Sequence, residues 1–217
     1  MMRWVNKETE LYGSFAKSAG NVGCQMMNSA FYYYGMNKIY KSFSVDNIKD
    51  AIDAVRILDI KGFAITMPYK IEVISLLDSM SDSVREICAC NTVLNQNGVL
   101  VGHNTDSFAA EKLLSKYNPK KELFILGSGG YSRAVQYAAK SLGLSYSLIT
   151  KSNWDDLFDI KNSLVYNCTP VDKIINNIDN SNEFVDCLVD TKTGRNLANI
   201  QAGEQFKLYT ERKWPFS

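Results

Sequence analysis

The first half of the chain alternates short apolar runs, spaced as in strands, with longer segments whose apolar residues recur at helical spacing. Residues 10–15 predict a strand, and residues 21–34 predict a helix. Residues 39–45 predict a second strand, and Asp46 is a suitable N-cap for a helix over residues 47–58. This order of strand and helix predicts a mostly parallel sheet that is covered by helices.

The alternation continues into a hairpin. Residues 63–66 predict a third strand, and Pro68 favours the start of another helix directly after it. Residues 91–94 and 99–101 then flank a turn, residues 95–98, whose asparagine and glycine residues tolerate positive φ.

The second half of the chain repeats the strand–helix pattern. A polar, proline-bearing segment, residues 116–121, is the best position for a boundary between domains. Beyond it, residues 122–126 predict a buried strand, residues 127–130 a tight turn and residues 133–142 a helix. Three further strands and a C-terminal helix are predicted, at residues 145–150, 163–166, 186–190 and 196–209.

The composition excludes several classes of protein. With 217 residues and 46% hydrophobic content, the chain can bury a real core. Lys and Arg number 24 against 23 Asp and Glu, without long runs of like charge, so neither a nucleic acid nor a membrane surface is an expected partner. No window approaches the roughly 20 apolar residues of a membrane span, and the N-terminus lacks a signal-peptide core, so we expect a cytoplasmic protein.

Ligands for a metal ion are scarce in this sequence. His103 is the only histidine, and the five cysteines lack the paired spacing of a metal site. Cys88 and Cys90 are better explained as buried thiols than as a metal clip. We therefore expect no metal.

A glycine-rich turn lies between a predicted strand and a predicted helix. Its residues are Gly127, Ser128, Gly129 and Gly130, in the context where backbone N–H groups approach a pyrophosphate at a helix N-terminus. Ser132 replaces the third glycine of the G-x-G-x-x-G pattern, so a merely tight turn is the alternative interpretation.

The end of the next strand bears on the choice of dinucleotide. An acidic residue there would bind the ribose hydroxyls of NAD, whereas Thr150, Lys151 and Ser152 offer hydroxyls and a cation that suit a 2′-phosphate. NADP is therefore favoured over NAD. A solvated surface lysine is the alternative interpretation.

Lys70 follows the third predicted strand, on the side of a parallel sheet where α/β proteins bind ligands. In the first turn of a helix the positive charge of Lys70 is electrostatically unfavourable, which suggests that this lysine has a functional role. Asp106, taken alone, is expected as the N-cap of a helix, and Asn91 as a cap or turn residue.

Considered together, in this order and spacing, these motifs resemble the shikimate dehydrogenase family, and the resemblance covers nearly the whole chain. The matching segments are Thr66-x-Pro68-x-Lys70, Asn91-Thr92-Val93, Gly102-x-Asn104-Thr105-Asp106, Leu126-Gly127-x-Gly129-Gly130-x-x-Arg133-Ala134, Asn167-Cys-Thr169-Pro170 and Gln201-Ala-x-x-x-Phe206.

The resemblance implies an α/β fold with three parts. These are an N-terminal parallel-sheet substrate-binding domain at residues 1–105, a small Rossmann-like NADP-binding domain at residues 106–193, and a C-terminal helix at residues 194–217 that packs back on the first domain. The family reaction is reversible hydride transfer between NADPH and the ring ketone of dehydroshikimate, which gives shikimate during aromatic amino acid biosynthesis. The expected partner is thus a small hydroxylated cyclic acid, and a monomer or homodimer is expected.

The resemblance also assigns roles to single residues. Lys70 and Asp106 match the family's catalytic pair, and Thr169 joins the cofactor-binding residues. The residues that match substrate-contacting positions are Asn21, Thr66, Asn91 and Gln201.

The N-terminal motif departs from the family pattern. The family holds the substrate carboxylate with two serines of an S-x-S-P-x-x-H-N-x-x-F motif, and the aligned positions here are Asn21 and Gly23. Ser18 lies close enough in sequence to substitute if the loop shifts. Losing one hydroxyl to a charged ligand costs on the order of 1 to 3 kcal/mol.

The cofactor half is also short, because Gly194 reaches Gln201 with no room for the usual strand and helix. The alternative function is therefore a non-catalytic or regulatory homologue that binds a metabolite or nucleotide without redox chemistry.

Overall fold

The computed structural model describes residues 5–117 and 120–216. The chain forms two compact units: unit 1 comprises Met1–Thr105 with Gln201–Ser217, and unit 2 comprises Asp106–Ile200. Two residues of the predicted boundary at 116–121, Asn118 and Pro119, lie outside the described residues, and the division between the units falls before that segment.

Unit 1 is built on a six-stranded sheet with strand order β2-β1-β3-β5-β6-β4. Its strands are β1 (Glu10–Ala16), β2 (Lys38–Ser44), β3 (Gly62–Ile65), β4 (Ser79–Met80), β5 (Thr92–Gln96) and β6 (Val99–His103). β1 runs parallel to both β2 and β3, β4 runs parallel to β6, and the β5–β6 hairpin joins β3 in antiparallel pairing. The sheet is therefore mixed, with its parallel part at the β2-β1-β3 side.

The helices of unit 1 cover this sheet as the apolar spacing predicts. They are α1 (Val22–Tyr33), α2 (Ile48–Ile57), α3 (Asp82–Ile87) and a 3₁₀ helix at Glu72–Leu76. Asn28 of α1 binds both backbone groups of Tyr40, because its Nδ2 donates to Tyr40 O at 2.7 Å and its Oδ1 accepts from Tyr40 N at 2.9 Å. These two bonds attach α1 to β2, which is one of the two edge strands of the sheet.

Unit 2 is a four-stranded sheet in which all pairings are parallel, with strand order β10-β9-β7-β8. The strands are β7 (Leu123–Leu126), β8 (Tyr146–Ile149), β9 (Leu164–Asn167) and β10 (Glu183–Asp186). The helices are α4 (Thr105–Leu114), α5 (Gly130–Ser141) and α6 (Lys192–Thr210), with 3₁₀ helices at Lys151–Asp159 and Ile174–Asn177. The C-terminal helix thus begins before the predicted residue 196 and before the predicted domain boundary at residue 194, and the division between the units falls within it.

Several predicted boundaries are wrong for local physical reasons. The N-cap of α2 is Asn47, whose Oδ1 accepts from Lys49 N at 2.9 Å, while the predicted cap Asp46 forms an ion pair with Lys17. The hairpin turn is tighter than expected, because β5 extends to Gln96 and only Asn97 and Gly98, both at positive φ, connect the strands.

The segment after Pro68 is not the predicted α-helix. Residues 67–71 form a turn, and only a 3₁₀ helix follows at Glu72–Leu76. Tyr69 is held in that turn by a bond from its backbone N–H to Thr66 O and by a bond from its hydroxyl to Val45 O at 2.6 Å. Lys70 therefore does not occupy a helix N-terminus, and no helix dipole opposes its positive charge in the way the sequence pattern suggests.

The last predicted strand, at residues 186–190, is also wrong. β10 is Glu183–Asp186, and the chain turns directly after it because Asp186 Oδ1 accepts from Leu188 N at 3.0 Å. A Cβ at Gly194 would lie 1.9 Å from Leu188 O, so only glycine permits this close return into α6.

Candidate active site

Lys70 lies in a turn that the core of unit 1 holds in place. Tyr69 is buried beneath that turn, and Lys70 O accepts a hydrogen bond from Cys90 N at 2.7 Å. Thr66, four residues earlier, is anchored to β1 through its backbone N–H, which donates to Phe15 O at 3.0 Å. The structure thus places the Lys70 backbone next to the segment that carries Asn91.

Asn91 is buried in a network of neutral polar groups. Its Oδ1 accepts from Thr105 N at 2.7 Å and from Thr92 Oγ1 at 3.1 Å, and its Nδ2 donates to Thr105 Oγ1 at 3.0 Å. Asn91, Thr92 and Thr105 are each at most 2% exposed. A buried amide with so many partners is held in one orientation.

Two glutamines of α6 reach the same network. Gln201 Nε2 donates to Thr105 Oγ1 at 3.3 Å, and Gln205 Nε2 donates to Thr92 Oγ1 at 2.8 Å. The structure therefore brings together two of the predicted substrate-contacting residues, Asn91 and Gln201. The sequence predicted no functional role for the other three residues of this network, which are Thr92, Thr105 and Gln205.

Asn21 and Gly23 lie at the start of α1, on the exposed side of unit 1. Asn21 is the N-cap of α1, but its side chain makes no capping hydrogen bond. Apart from its chain neighbours and the backbone of its own helix, no heavy atom of the described residues lies within 4 Å of the position that a Cβ on Gly23 would take. The place of the family's second serine is thus open space.

Asp106 lies in the first turn of α4, since the helix begins at Thr105. The prediction that Asp106 is the N-cap is therefore wrong. Asp106 is 5% exposed, close to two tyrosines of unit 2 whose hydroxyls, Tyr131 and Tyr166, are 2.9 Å apart. Burial above all, with the negative charge of Asp106 among the further causes, raises the pKa of both tyrosines well above the ordinary value, so both remain neutral.

The glycine turn leads from β7 into α5, which begins at Gly130 rather than at the predicted residue 133. Gly127 has φ +99°, and a Cβ there would lie 2.9 Å from the Thr169 side chain. At Gly129, the N-cap of α5, an added Cβ would have no heavy atom of the described residues within 4 Å beyond its chain neighbours, and no side chain among them caps the helix. These features leave room for an anionic group at the N-terminus of α5.

Ser132, which replaces the third glycine of the pattern, closes this turn. Its Oγ donates to Gly127 O at 2.6 Å and accepts from Gln136 Nε2 at 3.1 Å. A serine can therefore replace the third glycine here, because Gly127 O of the same turn accepts a hydrogen bond from its hydroxyl.

The residues at the end of β8 form a second polar cluster in unit 2. Thr150 is the N-cap of the following 3₁₀ helix, and its Oγ1 lies 2.8 Å from Ser152 Oγ. Lys151 is exposed beside them. Thr169, two residues after the end of β9, donates from its hydroxyl to Asn167 Oδ1 at 2.7 Å.

The described part of the chain contains no cluster of three or more His, Cys, Asp or Glu side chains that could hold a metal ion. Among the same residues, no helix combines the length and the apolar character needed to cross a membrane.

The fold and these side chains define an α/β protein in which a mixed sheet is accompanied by a Rossmann-like unit with a glycine turn at its first helix. A family model described as the shikimate dehydrogenase substrate binding domain matches residues 21–93. A shikimate dehydrogenase (NADP(+)) of Alkaliphilus oremlandii is 32% identical over 198 residues, which cover 86% of this chain and 69% of that relative. The chain belongs to the shikimate dehydrogenase family.

Other relatives match a smaller part of their own length. A shikimate dehydrogenase-like protein of Haemophilus influenzae is 38% identical over 141 residues, which cover 64% of this chain and 52% of that relative. The chain spans about half the length of several curated relatives that it matches. The crystal structure of shikimate dehydrogenase from Aquifex aeolicus matches with a TM-score of 0.86 at 27% identity, over 99% of this chain and 97% of that one.

Proposed function

We propose that this chain is an NADP-dependent dehydrogenase that interconverts shikimate and 3-dehydroshikimate, or a related hydroxylated cyclic acid and its ketone. The observation that carries this proposal is the buried network of Asn91, Thr105 and Gln201 in unit 1. Its neutral amides and hydroxyls are the groups that bind the hydroxyls of a polyol. Relatives named shikimate dehydrogenase (NADP(+)) support the assignment of the reaction.

Unit 1 supplies the groups that bind the cyclic acid. Asn91 and Gln201 bind its ring hydroxyls, and Thr66 contributes a further hydroxyl beside Lys70. Asn21 donates from its amide to the carboxylate, in place of the first serine of the family motif. The open space at Gly23 leaves the second serine position without a donor, so we infer that the substrate is either shikimate, held by fewer hydrogen bonds to its carboxylate, or a related cyclic acid.

Lys70 acts as the general acid in ketone reduction. As the carbonyl becomes an alcohol, its oxygen gains negative charge, and the Lys70 ammonium stabilises that oxygen and gives it a proton. In alcohol oxidation the neutral amine takes the hydroxyl proton back. Asp106, the second member of the catalytic pair, accepts a charge-assisted hydrogen bond from a substrate hydroxyl and so orients the ring.

NADP, when bound, supplies or accepts the hydride at its nicotinamide ring. Unit 2 fits such a group, because Gly127, Ser128, Gly129 and Gly130 leave the N-terminus of α5 open for a pyrophosphate. Thr150, Lys151 and Ser152 offer an exposed cation and two hydroxyls to the 2′-phosphate, which favours NADP over NAD. Thr169 lies against the glycine turn and completes the cofactor-binding set.

We further propose that residues 1–105 act as the substrate-binding domain, residues 106–193 as the nucleotide-binding domain, and residues 194–217 as a C-terminal helical segment that packs back on the first domain. A monomer or homodimer in the cytoplasm is the accompanying expectation.

A second candidate function is a regulatory homologue that binds a metabolite without redox chemistry. It is favoured by the missing hydroxyl at Gly23 and by the four-stranded sheet of unit 2, whose edge strand β10 leads directly into α6.

Two measurements separate these functions. Calorimetric titration with NADP and NAD tests dinucleotide binding, and the appearance of reduced nicotinamide with shikimate or quinate tests hydride transfer. The dehydrogenase proposal requires NADP binding and turnover of at least one cyclic hydroxy acid. Folded protein that binds the acid but transfers no hydride would establish the regulatory alternative.

A further inference from the structure

Gln205 is a buried residue of α6 that makes two hydrogen bonds. It is 3% exposed, and its Nε2 donates to Thr92 Oγ1 at 2.8 Å and to Asn91 O at 3.4 Å. A backbone carbonyl can only accept, so the nitrogen of the Gln205 amide, and not its oxygen, must face this pair.

This constraint sets the direction of the Thr92 hydroxyl. Because Thr92 Oγ1 accepts from Gln205, its single hydrogen remains for a partner on the other side. Asn91 Oδ1, at 3.1 Å, is an acceptor with no hydrogen of its own. The hydroxyl of Thr92 therefore donates to Asn91 Oδ1.

The hydrogen bonds of Thr105 are donated in the same direction as those of Thr92. Its Oγ1 accepts from Asn91 Nδ2 at 3.0 Å and from Gln201 Nε2 at 3.3 Å, so both lone pairs are used. Its own hydrogen then donates to Thr92 Oγ1, at 3.2 Å, or to Asn91 Oδ1, at 3.4 Å. The donated hydrogens thus run from the α6 glutamines, through the two threonines, toward Asn91 Oδ1.

We infer that Gln205 is a positioning residue: by donating to Thr92 it leaves the Thr92 hydrogen for Asn91 Oδ1, and this bond adds to the one from Thr105 N–H that sets the orientation of the Asn91 amide. This inference rests on the proposed function only in its consequence: the Asn91 amide, held in one orientation, is preorganised to bind the cyclic acid. Gln205 itself touches no substrate, and Gln201 remains the residue of α6 that binds the cyclic acid.

Reversing the polarity of residue 205 should have a specific effect on this network. In Gln205→Glu the ionised carboxylate can only accept, so Thr92 donates to it and Asn91 Oδ1 loses one donor. Gln205→Leu removes the donor without adding an acceptor, so Thr92 keeps its hydrogen for Asn91 Oδ1. Gln96→Glu, which adds the same charge on the exposed hairpin, is the matched control.

The readout that does not depend on turnover is the NMR signal of the Asn91 side-chain amide, assigned by its disappearance in Asn91→Asp. In Gln205→Glu we expect its hydrogen exchange to accelerate by about tenfold or more, since one buried bond to its oxygen is lost. Gln205→Leu, in which that bond is kept, and Gln96→Glu should both leave it unchanged. Unchanged exchange in a folded Gln205→Glu protein, or an equal acceleration in Gln205→Leu, would overturn the inference.

The kinetic readout compares the change in KM for the cyclic acid with the change in KM for NADP. We expect KM for the cyclic acid to rise by about ten- to a hundredfold in Gln205→Glu, with KM for NADP unchanged. Equal increases in both KM values would indicate a general structural defect and would contradict the positioning role. If the wild-type protein shows no turnover, the proposed function fails, and the amide exchange still decides the role of Gln205.

Discussion

Replacing Gly23 with serine should restore affinity for the carboxylate of shikimate. Gly23 is the second residue of α1, and outside its own helix and chain neighbours the described residues place no heavy atom within 4 Å of an added Cβ. A serine therefore fits without displacing any neighbour. Serine is also a better helix former than glycine by about 0.5 kcal/mol, so the variant should be at least as stable as the wild type.

The size of the effect follows from the bond that is gained. A hydrogen bond to a charged group contributes about 1.5 to 3 kcal/mol, which corresponds to roughly ten- to a hundredfold in affinity. We expect KM for shikimate, or its Kd by calorimetry if turnover is slow, to fall by about that factor in Gly23→Ser.

Gly20→Ser is the matched control, because Gly20 also has open space around an added Cβ and precedes the same helix. This variant should leave shikimate affinity unchanged. A folded Gly23→Ser protein with the shikimate affinity of the wild type, or an equal gain in Gly20→Ser, would refute the reasoning that Gly23 marks the carboxylate position.

Three further predictions concern separate parts of the chain. Ser132→Ala should lower the free energy of unfolding by about 1 to 3 kcal/mol in urea titration, because Gly127 O loses its partner, whereas the exposed Ser141→Ala should change it little. Lys151→Glu should weaken NADP binding by about tenfold or more in calorimetry while sparing NAD; equal losses would argue against a 2′-phosphate contact. Burial lowers the pKa of His103, so the unfolded chain takes up this proton first and stability should fall as pH drops below about 6.5. The NMR titration of this single imidazole should have its midpoint below 6.5, and a midpoint above it would contradict the sign.

The sequence predicts those parts of the fold that depend on local pattern. The βαβ alternation of unit 1, the hairpin and the helix after the glycine turn all follow from residue spacing and turn chemistry. The segment after Pro68 could not be predicted, because the bond from the Tyr69 hydroxyl to Val45 O, which joins residues far apart in sequence, holds it as a turn. The N-cap of α2 lies one residue later than predicted because Asp46 instead pairs with Lys17.

Only part of the candidate site could be predicted from the sequence. Asn91 and Gln201 belong to motifs, and the structure joins them through Thr105. Gln205 carries no local signal, since its partner Thr92 lies 113 residues earlier in the chain. A buried amide in a helix becomes interpretable only when the fold shows which groups it faces.

The most direct test of the proposed function compares the wild-type protein with Lys70→Met in one assay, the formation of reduced nicotinamide from NADP and shikimate or a related cyclic hydroxy acid. Lys116→Met, at an exposed position, is the control. We predict turnover by the wild type and the control, and a loss of about 10²- to 10⁴-fold in kcat for Lys70→Met with NADP affinity preserved. Folded wild-type protein that oxidises no cyclic hydroxy acid, or a Lys70→Met variant with the wild-type rate, would contradict the proposed function.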